Sequence, residues 1–129
     1  MTAEPESGTG RGRILLAEDD DSMRAFLERA IQRAGYQVVA VDRGTAALPH
    51  IAEGGFDLLL TDIVMPEMDG IELAQRAAAL APAMRVMFIT GFAAVALARD
   101  SGAPEGARVL SKPFHLRELT GEIERMLAA

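Results

Sequence analysis

Apolar residues in this chain fall into two recurring patterns. Short unbroken runs such as Ile14-Leu15-Leu16-Ala17, Leu58-Leu59-Leu60 and Val86-Met87-Phe88-Ile89 lack the in-out alternation of a half-exposed strand. They read as strands covered on both faces, as in a parallel sheet. Between them, Met23, Phe26, Leu27, Ala30 and Ile31, and later Ile71, Leu73, Ala74, Ala77 and Ala78, recur at helical spacing. The pattern predicts strands near 13–18, 37–41, 56–61, 85–89 and 107–110, and helices near 22–34, 44–53, 70–80, 92–99 and 115–127. Strict alternation with short loops implies right-handed β/α units, hence an α/β fold with a five-stranded parallel sheet. Strand order 2-1-3-4-5 sets the first and third strands side by side, with a binding crevice at their carboxyl ends.

Polar residues punctuate those ends. The third run closes on Asp62, and the loop Ile63-Val64-Met65-Pro66-Glu67-Met68-Asp69-Gly70 follows with Pro and Gly as turn markers. Asp is also a common loop former, so Asp62 alone is ambiguous. The first run meets Glu18-Asp19-Asp20-Asp21-Ser22, of which Asp20, Asp21 or Ser22 could cap the next helix. A cap needs one side chain, and four acids in a row exceed that need. With the first and third strands adjacent, Glu18, Asp19 and Asp62 converge, and their repulsion is best relieved by a hard divalent cation such as Mg²⁺. The remaining strands end at Thr90-Gly91 and at Lys112-Pro113. A hydroxyl and an ammonium beside a carboxylate are what a phosphoryl group on Asp62 would require.

The set Glu18-Asp19, Asp62 with Met65-Pro66 and Asp69-Gly70, Thr90, and Lys112-Pro113 resembles the receiver domain of two-component response regulators, a flavodoxin-like fold with five helices. The resemblance implies that Asp62 accepts a phosphoryl group from a sensor histidine kinase or histidine phosphotransfer protein. It implies Mg²⁺ held directly by Asp19, Asp62 and the backbone carbonyl of Val64, with Glu18 acting through water. It gives Thr90 and Lys112 to the phosphoryl oxygens, and a cis bond to Lys112-Pro113. One departure is Val109, where the family often carries an aromatic ring that rotates on activation, so that form of the switch is not expected. Pro49 inside the second helix is a second oddity, since an interior Pro kinks or breaks a helix. The stretches Met87–Ala94 and Leu110–Leu119 further resemble single-domain regulators of the CpdR type, which implies an adaptor that, unphosphorylated, delivers substrates to a ClpX-type unfoldase. The terminal Leu127-Ala128-Ala129 resembles the small apolar tails such unfoldases grip.

Composition narrows the field. The 129 residues are 50% hydrophobic and contain no cysteine, which suits one domain with an ample core and excludes disulfides, thiol catalysis and thiolate metal sites. A net charge of −6 argues against nucleic acid or an anionic membrane as partner. No signal peptide or long apolar run is evident, so a cytoplasmic location is expected. Residues 1–12, polar and rich in Gly and Pro, read as a flexible tail before a receiver domain over 13–129 with no output domain. Its Gly-Thr-Gly-Arg-Gly precedes the first strand and lacks the Lys-Ser/Thr ending of a phosphate loop. His50 and His115 are too scattered for a metal site. State would then be read by a protein partner, on the side formed by the fourth helix, with its apolar segment Phe92–Ala98, and the fifth strand and fifth helix. Two other functions compete: a phosphate shuttle to a histidine phosphotransfer protein, and an aspartyl-nucleophile phosphatase. The phosphatase usually needs a second acid two residues past the nucleophile, where this chain has Val64. No enzymatic turnover is therefore expected.

Overall fold

The computed structural model describes residues 11–91 and 101–128. The elements run β1 (Arg13–Ala17), α1 (Asp21–Arg33), β2 (Gln37–Val41), α2 (Gly44–Glu53), β3 (Leu58–Asp62), α3 (Gly70–Leu80), β4 (Arg85–Thr90), β5 (Arg108–Ser111) and α4 (Leu116–Ala128). All four strand pairings are parallel and the order is β2-β1-β3-β4-β5. Four helices lie among the described residues. The helix expected near 92–99, and with it the apolar segment Phe92–Ala98, lies outside them.

The unbroken apolar runs are explained by what covers the sheet. Successive strand residues point to opposite faces, and each face has its own core. Leu15, Leu59, Val86 and Phe88 join Ala47 and Ile51 of α2 and Leu73, Ala74 and Ala77 of α3. Ile14, Leu16, Leu58, Leu60, Met87 and Ile89 join Leu27 and Ile31 of α1 and Leu119, Ile123 and Met126 of α4. Each fully buried large side chain contributes about 1.5–3 kcal/mol, so the two layers fix the sheet order. Val109 packs against the first core as a partly buried residue.

Two expectations are refined. Helix α2 runs through Pro49, which lies on its exposed face. Proline has no N–H to donate to the carbonyl four residues back, that of Thr45, and Thr45 is exposed, where water can replace the lost bond. Arg11 and Gly12, read as the end of a loose tail, are tied down. The Arg11 guanidinium donates to the Ala34 carbonyl at 2.9 Å, pairs with Glu124 and stacks over the Tyr36 ring at 5.1 Å. The turn after α1 needs Gly35, whose φ of 105° is in the left-handed region and whose Cα faces the Arg11 side chain. Among the described residues no helix is long and apolar enough to cross a membrane.

Candidate functional site

The carboxyl edge of the sheet gathers the residues singled out by sequence. Asp62 is the last residue of β3 and is buried, with Oδ1 accepting the Ile63 N–H at 2.7 Å and Oδ2 accepting the Lys112 ammonium at 2.9 Å. The carboxylate therefore does two things at once, capping its own loop and facing a cation. Glu18 lies just beyond β1 and is only 1% exposed. Its Oε2 accepts the Asp20 N–H at 3.1 Å, while Oε1 lies 3.8 Å from Lys112 Nζ and has no hydrogen-bond partner. Asp19 is exposed, and one oxygen each of Glu18, Asp19 and Asp62 lies within 4.8 Å of the others. Neither histidine joins this group among the described residues: His50 packs edge-on against Phe56, and the backbone N–H of His115 donates to Glu118.

The electrostatics follow from this crowding. Burial pushes the Glu18 carboxyl up to about 7, and the nearby charges of Asp62 and Asp19 push the same way, against the Asp20 hydrogen bond and Lys112. Partial burial pulls the Lys112 ammonium down, but its hydrogen bond to Asp62 and the charges of Glu18, Asp62 and Asp19 leave it above the ordinary lysine value. The site as built thus carries more negative charge than its one ammonium offsets.

Backbone geometry delivers the other groups. Register sets Asp62 beside Ile89 and Thr90 beside Ser111, so Thr90 ends β4 one residue past the partner of Asp62, fully buried. The Thr90 carbonyl accepts the Lys112 N–H at 2.8 Å, fixing where the lysine leaves β5. The Lys112–Pro113 bond is cis. Val64 stands two residues past Asp62 and is 58% exposed.

The helix starts settle the question of caps. Asp20 caps α1, its Oδ1 accepting the Met23 N–H at 2.7 Å, and Asp69 caps α3 through the Glu72 N–H at 2.8 Å. That division leaves Glu18 and Asp19 free of capping duty. One residue was read too narrowly from sequence and two escaped it. A Cβ on Gly70 would stand 2.0 Å from the Asp62 carbonyl oxygen, so this glycine permits α3 to start against the acceptor strand, a closer role than turn marker. The Thr61 hydroxyl donates to the same carbonyl at 2.8 Å. Arg24 reaches back from α1 to the Glu18 carbonyl at 3.0 Å; its only sequence signal is the (i, i+3) spacing from Asp21.

Comparison with known proteins decides the family. The response regulator receiver domain matches residues 14–124. The chain belongs to that family. As a receiver it takes part in two-component signalling. It is 63% identical over 117 residues to the response regulator receiver protein CpdR of Brucella abortus (strain 2308), covering 91% of this chain and 98% of that one. The receiver domain of the hybrid histidine kinase CckA superposes with a TM-score of 0.78 at 32% identity, covering 90% of this chain and 99% of that one. The response regulator TrrA of Thermotoga maritima, solved in complex with Mg(2+)-BeF, gives a TM-score of 0.81 at 26% identity, again over 90% and 99% of the two chains.

Proposed function

We propose that this receiver is a phospho-accepting switch of a phosphorelay, with Asp62 as acceptor and a protein–protein contact as output. The observation that carries the reading is the Asp62–Lys112 pair at 2.9 Å within a cluster of three carboxylates. A carboxylate oxygen of Asp62 attacks the phosphorus of a phosphohistidine on a sensor histidine kinase or histidine phosphotransfer protein. The O–P bond forms as the P–N bond breaks, and the imidazole leaves with the electron pair, one of its nitrogens keeping a proton. Lys112 then pairs with one phosphoryl oxygen and the Thr90 hydroxyl donates to another.

The donor set fits Mg²⁺. All its atoms are hard oxygens, the buried Glu18 Oε1 lacks a partner, and the acids outnumber the ammonium. Asp19, Asp62 and the Val64 carbonyl would hold the ion directly, with Glu18 acting through water. Bound there, Mg²⁺ supplies charge neutralisation at the phosphoryl oxygens.

The output follows the CpdR-type resemblance, supported by 63% identity to CpdR. In this reading residues 13–129 form a receiver that works in the cytoplasm as an adaptor and not as an enzyme. The unphosphorylated form docks on a ClpX-type unfoldase, and phosphorylation releases it. Val64, at the position where an aspartyl phosphatase would carry its general acid, favours a switch over a turnover enzyme. The test compares binding of the N-terminal region of a ClpX-type unfoldase by wild type, Asp62→Ala, and wild type saturated with beryllofluoride and Mg²⁺. Binding by the first two and release of the third is the expected result. Equal binding by all three would contradict the output. Rapid transfer of the phosphoryl group to a second histidine protein would favour a shuttle.

A further inference from the structure

The acid-bearing turn is clamped from behind by an arginine outside the acid cluster. Arg24 lies in the first turn of α1, and its two terminal nitrogens diverge. Nη1 donates to the backbone carbonyl of Glu18 at 3.0 Å, and Nη2 donates to Asp21 Oδ1 at 2.7 Å. Its side chain is 23% exposed, so the fork is mostly packed in and not waving in solvent. The two bonds bracket residues 18–21, the segment carrying Glu18, Asp19 and the helix cap Asp20. Other ties on that segment are single contacts: Glu18 N–H to the Val41 carbonyl at 3.1 Å, Asp20 N–H to Glu18 Oε2 at 3.1 Å, Asp20 Oδ1 to the Met23 N–H, the Arg24 N–H to the Asp20 carbonyl at 2.8 Å, and Lys112 Nζ 3.8 Å from Glu18 Oε1. A planar, rigid fork is well suited to fixing two acceptors relative to each other, which a lysine cannot do.

We infer that Arg24 is a positioning residue for the cation site, holding the 18–21 turn so that Glu18 and Asp19 offer their oxygens toward Asp62. The inference rests on the reading of Glu18, Asp19 and Asp62 as a Mg²⁺ site. Two effects of Arg24 on a bound cation have opposite signs. Its charge repels the ion, so a neutral replacement should tighten binding if charge dominates. Its fork fixes the ligand-bearing turn, so any replacement that lacks the fork should weaken binding if geometry dominates. The guanidinium charge is already paired with Asp21 at 2.7 Å, which offsets its repulsion of the ion, so geometry wins.

The experiment titrates Mg²⁺ calorimetrically into metal-free wild type, Arg24→Lys and Arg24→Gln. Amide hydrogen exchange over residues 18–21 is followed in the metal-free proteins, with thermal melts to confirm folding. Both variants should bind Mg²⁺ about tenfold more weakly, and exchange in the turn should quicken. Arg24→Lys keeps the charge and most of the packing, so it remains informative if Arg24→Gln fails to fold. Wild-type affinity in Arg24→Lys, tighter binding by Arg24→Gln, or unchanged exchange in Arg24→Lys would each overturn the inference. Failure of the wild type itself to take up Mg²⁺ would instead overturn the metal reading, and the metal-free exchange would still judge the clamp.

Discussion

A buried carboxylate oxygen without a donor, Glu18 Oε1, sits in the middle of the site. Native proteins rarely leave such an atom unpaired, because desolvation is then uncompensated. Glu18→Gln should therefore raise metal-free stability above pH 7, by about 1 kcal/mol, while shrinking the protection that Mg²⁺ gives. Urea unfolding with and without Mg²⁺ checks both halves, and a less stable metal-free variant would count against the picture. Gly70 is the second residue whose chemistry is set by a neighbour. A Cβ 2.0 Å from the Asp62 carbonyl has no room, so Gly70→Ala should destabilise by about 1–3 kcal/mol through overpacking and backbone shift. A change within about 0.5 kcal/mol in denaturant unfolding, the size of an ordinary surface substitution, would show that the loop yields freely. Thr90 is different: in the proposed switch its hydroxyl links the phosphoryl group to the partner surface, so Thr90→Ala should still accept phosphate at Asp62 yet lose the change in partner binding, read by comparing phosphorylation with pull-down. The acids, Thr90 and Lys112 were legible in the sequence because each ends an apolar run. The close approach at Gly70 and the parts played by Thr61 and Arg24 were not, because they depend on which backbone carbonyl the fold brings near.

Elements locate the site by their ends. The strands supply Glu18, Asp62, Thr90 and Lys112 because parallel pairing aligns four carboxyl termini at one edge. Helix caps could not be chosen from sequence, since Asp20, Asp21 and Ser22 all suit an N-cap, and only the chain path selects Asp20. The edge strand β5 is tied to α4 by Glu122, which takes Arg108 at 3.2 Å and Arg125 at 2.6 Å. The hydrogen bond from Arg125, then the charges of Arg125 and Arg108, hold the Glu122 carboxyl below its ordinary 4.5 against a burial effect of opposite sign. A depressed folded value stabilises the protein above the unfolded pKa, and that contribution disappears as pH falls through the folded value. Both arginines are more than half exposed, so screening keeps the effect under about 1 kcal/mol. Glu122→Gln should thus destabilise slightly at neutral pH, with the difference from wild type vanishing well below pH 4.5. Urea midpoints at both pH values would show it; a difference that grows on acidification would contradict the assignment.

At the scale of the whole molecule, the 2-1-3-4-5 sheet could be reached from sequence because two-sided burial leaves unbroken apolar runs, and those runs alternate strictly with helical periods. Element bounds were the weaker part: β3 begins at Leu58 and includes Asp62, whereas the pattern places it near 56–61. Pairing nevertheless starts one residue earlier, since the Asp57 N–H donates to the Arg13 carbonyl at 2.8 Å and the Asp57 carbonyl accepts the Arg85 N–H at 3.1 Å. A chain of net charge −6 should show no salt-sensitive affinity for duplex DNA, which electrophoretic mobility shift at low salt would check. All of this organisation converges on one side chain. Intact-mass spectrometry after incubation with acetyl phosphate and Mg²⁺ tests that most directly. The wild type should gain a single phosphoryl group and Asp62→Asn none, because an amide is a poor nucleophile; full modification of Asp62→Asn at another residue, or no modification of the wild type, would contradict the account.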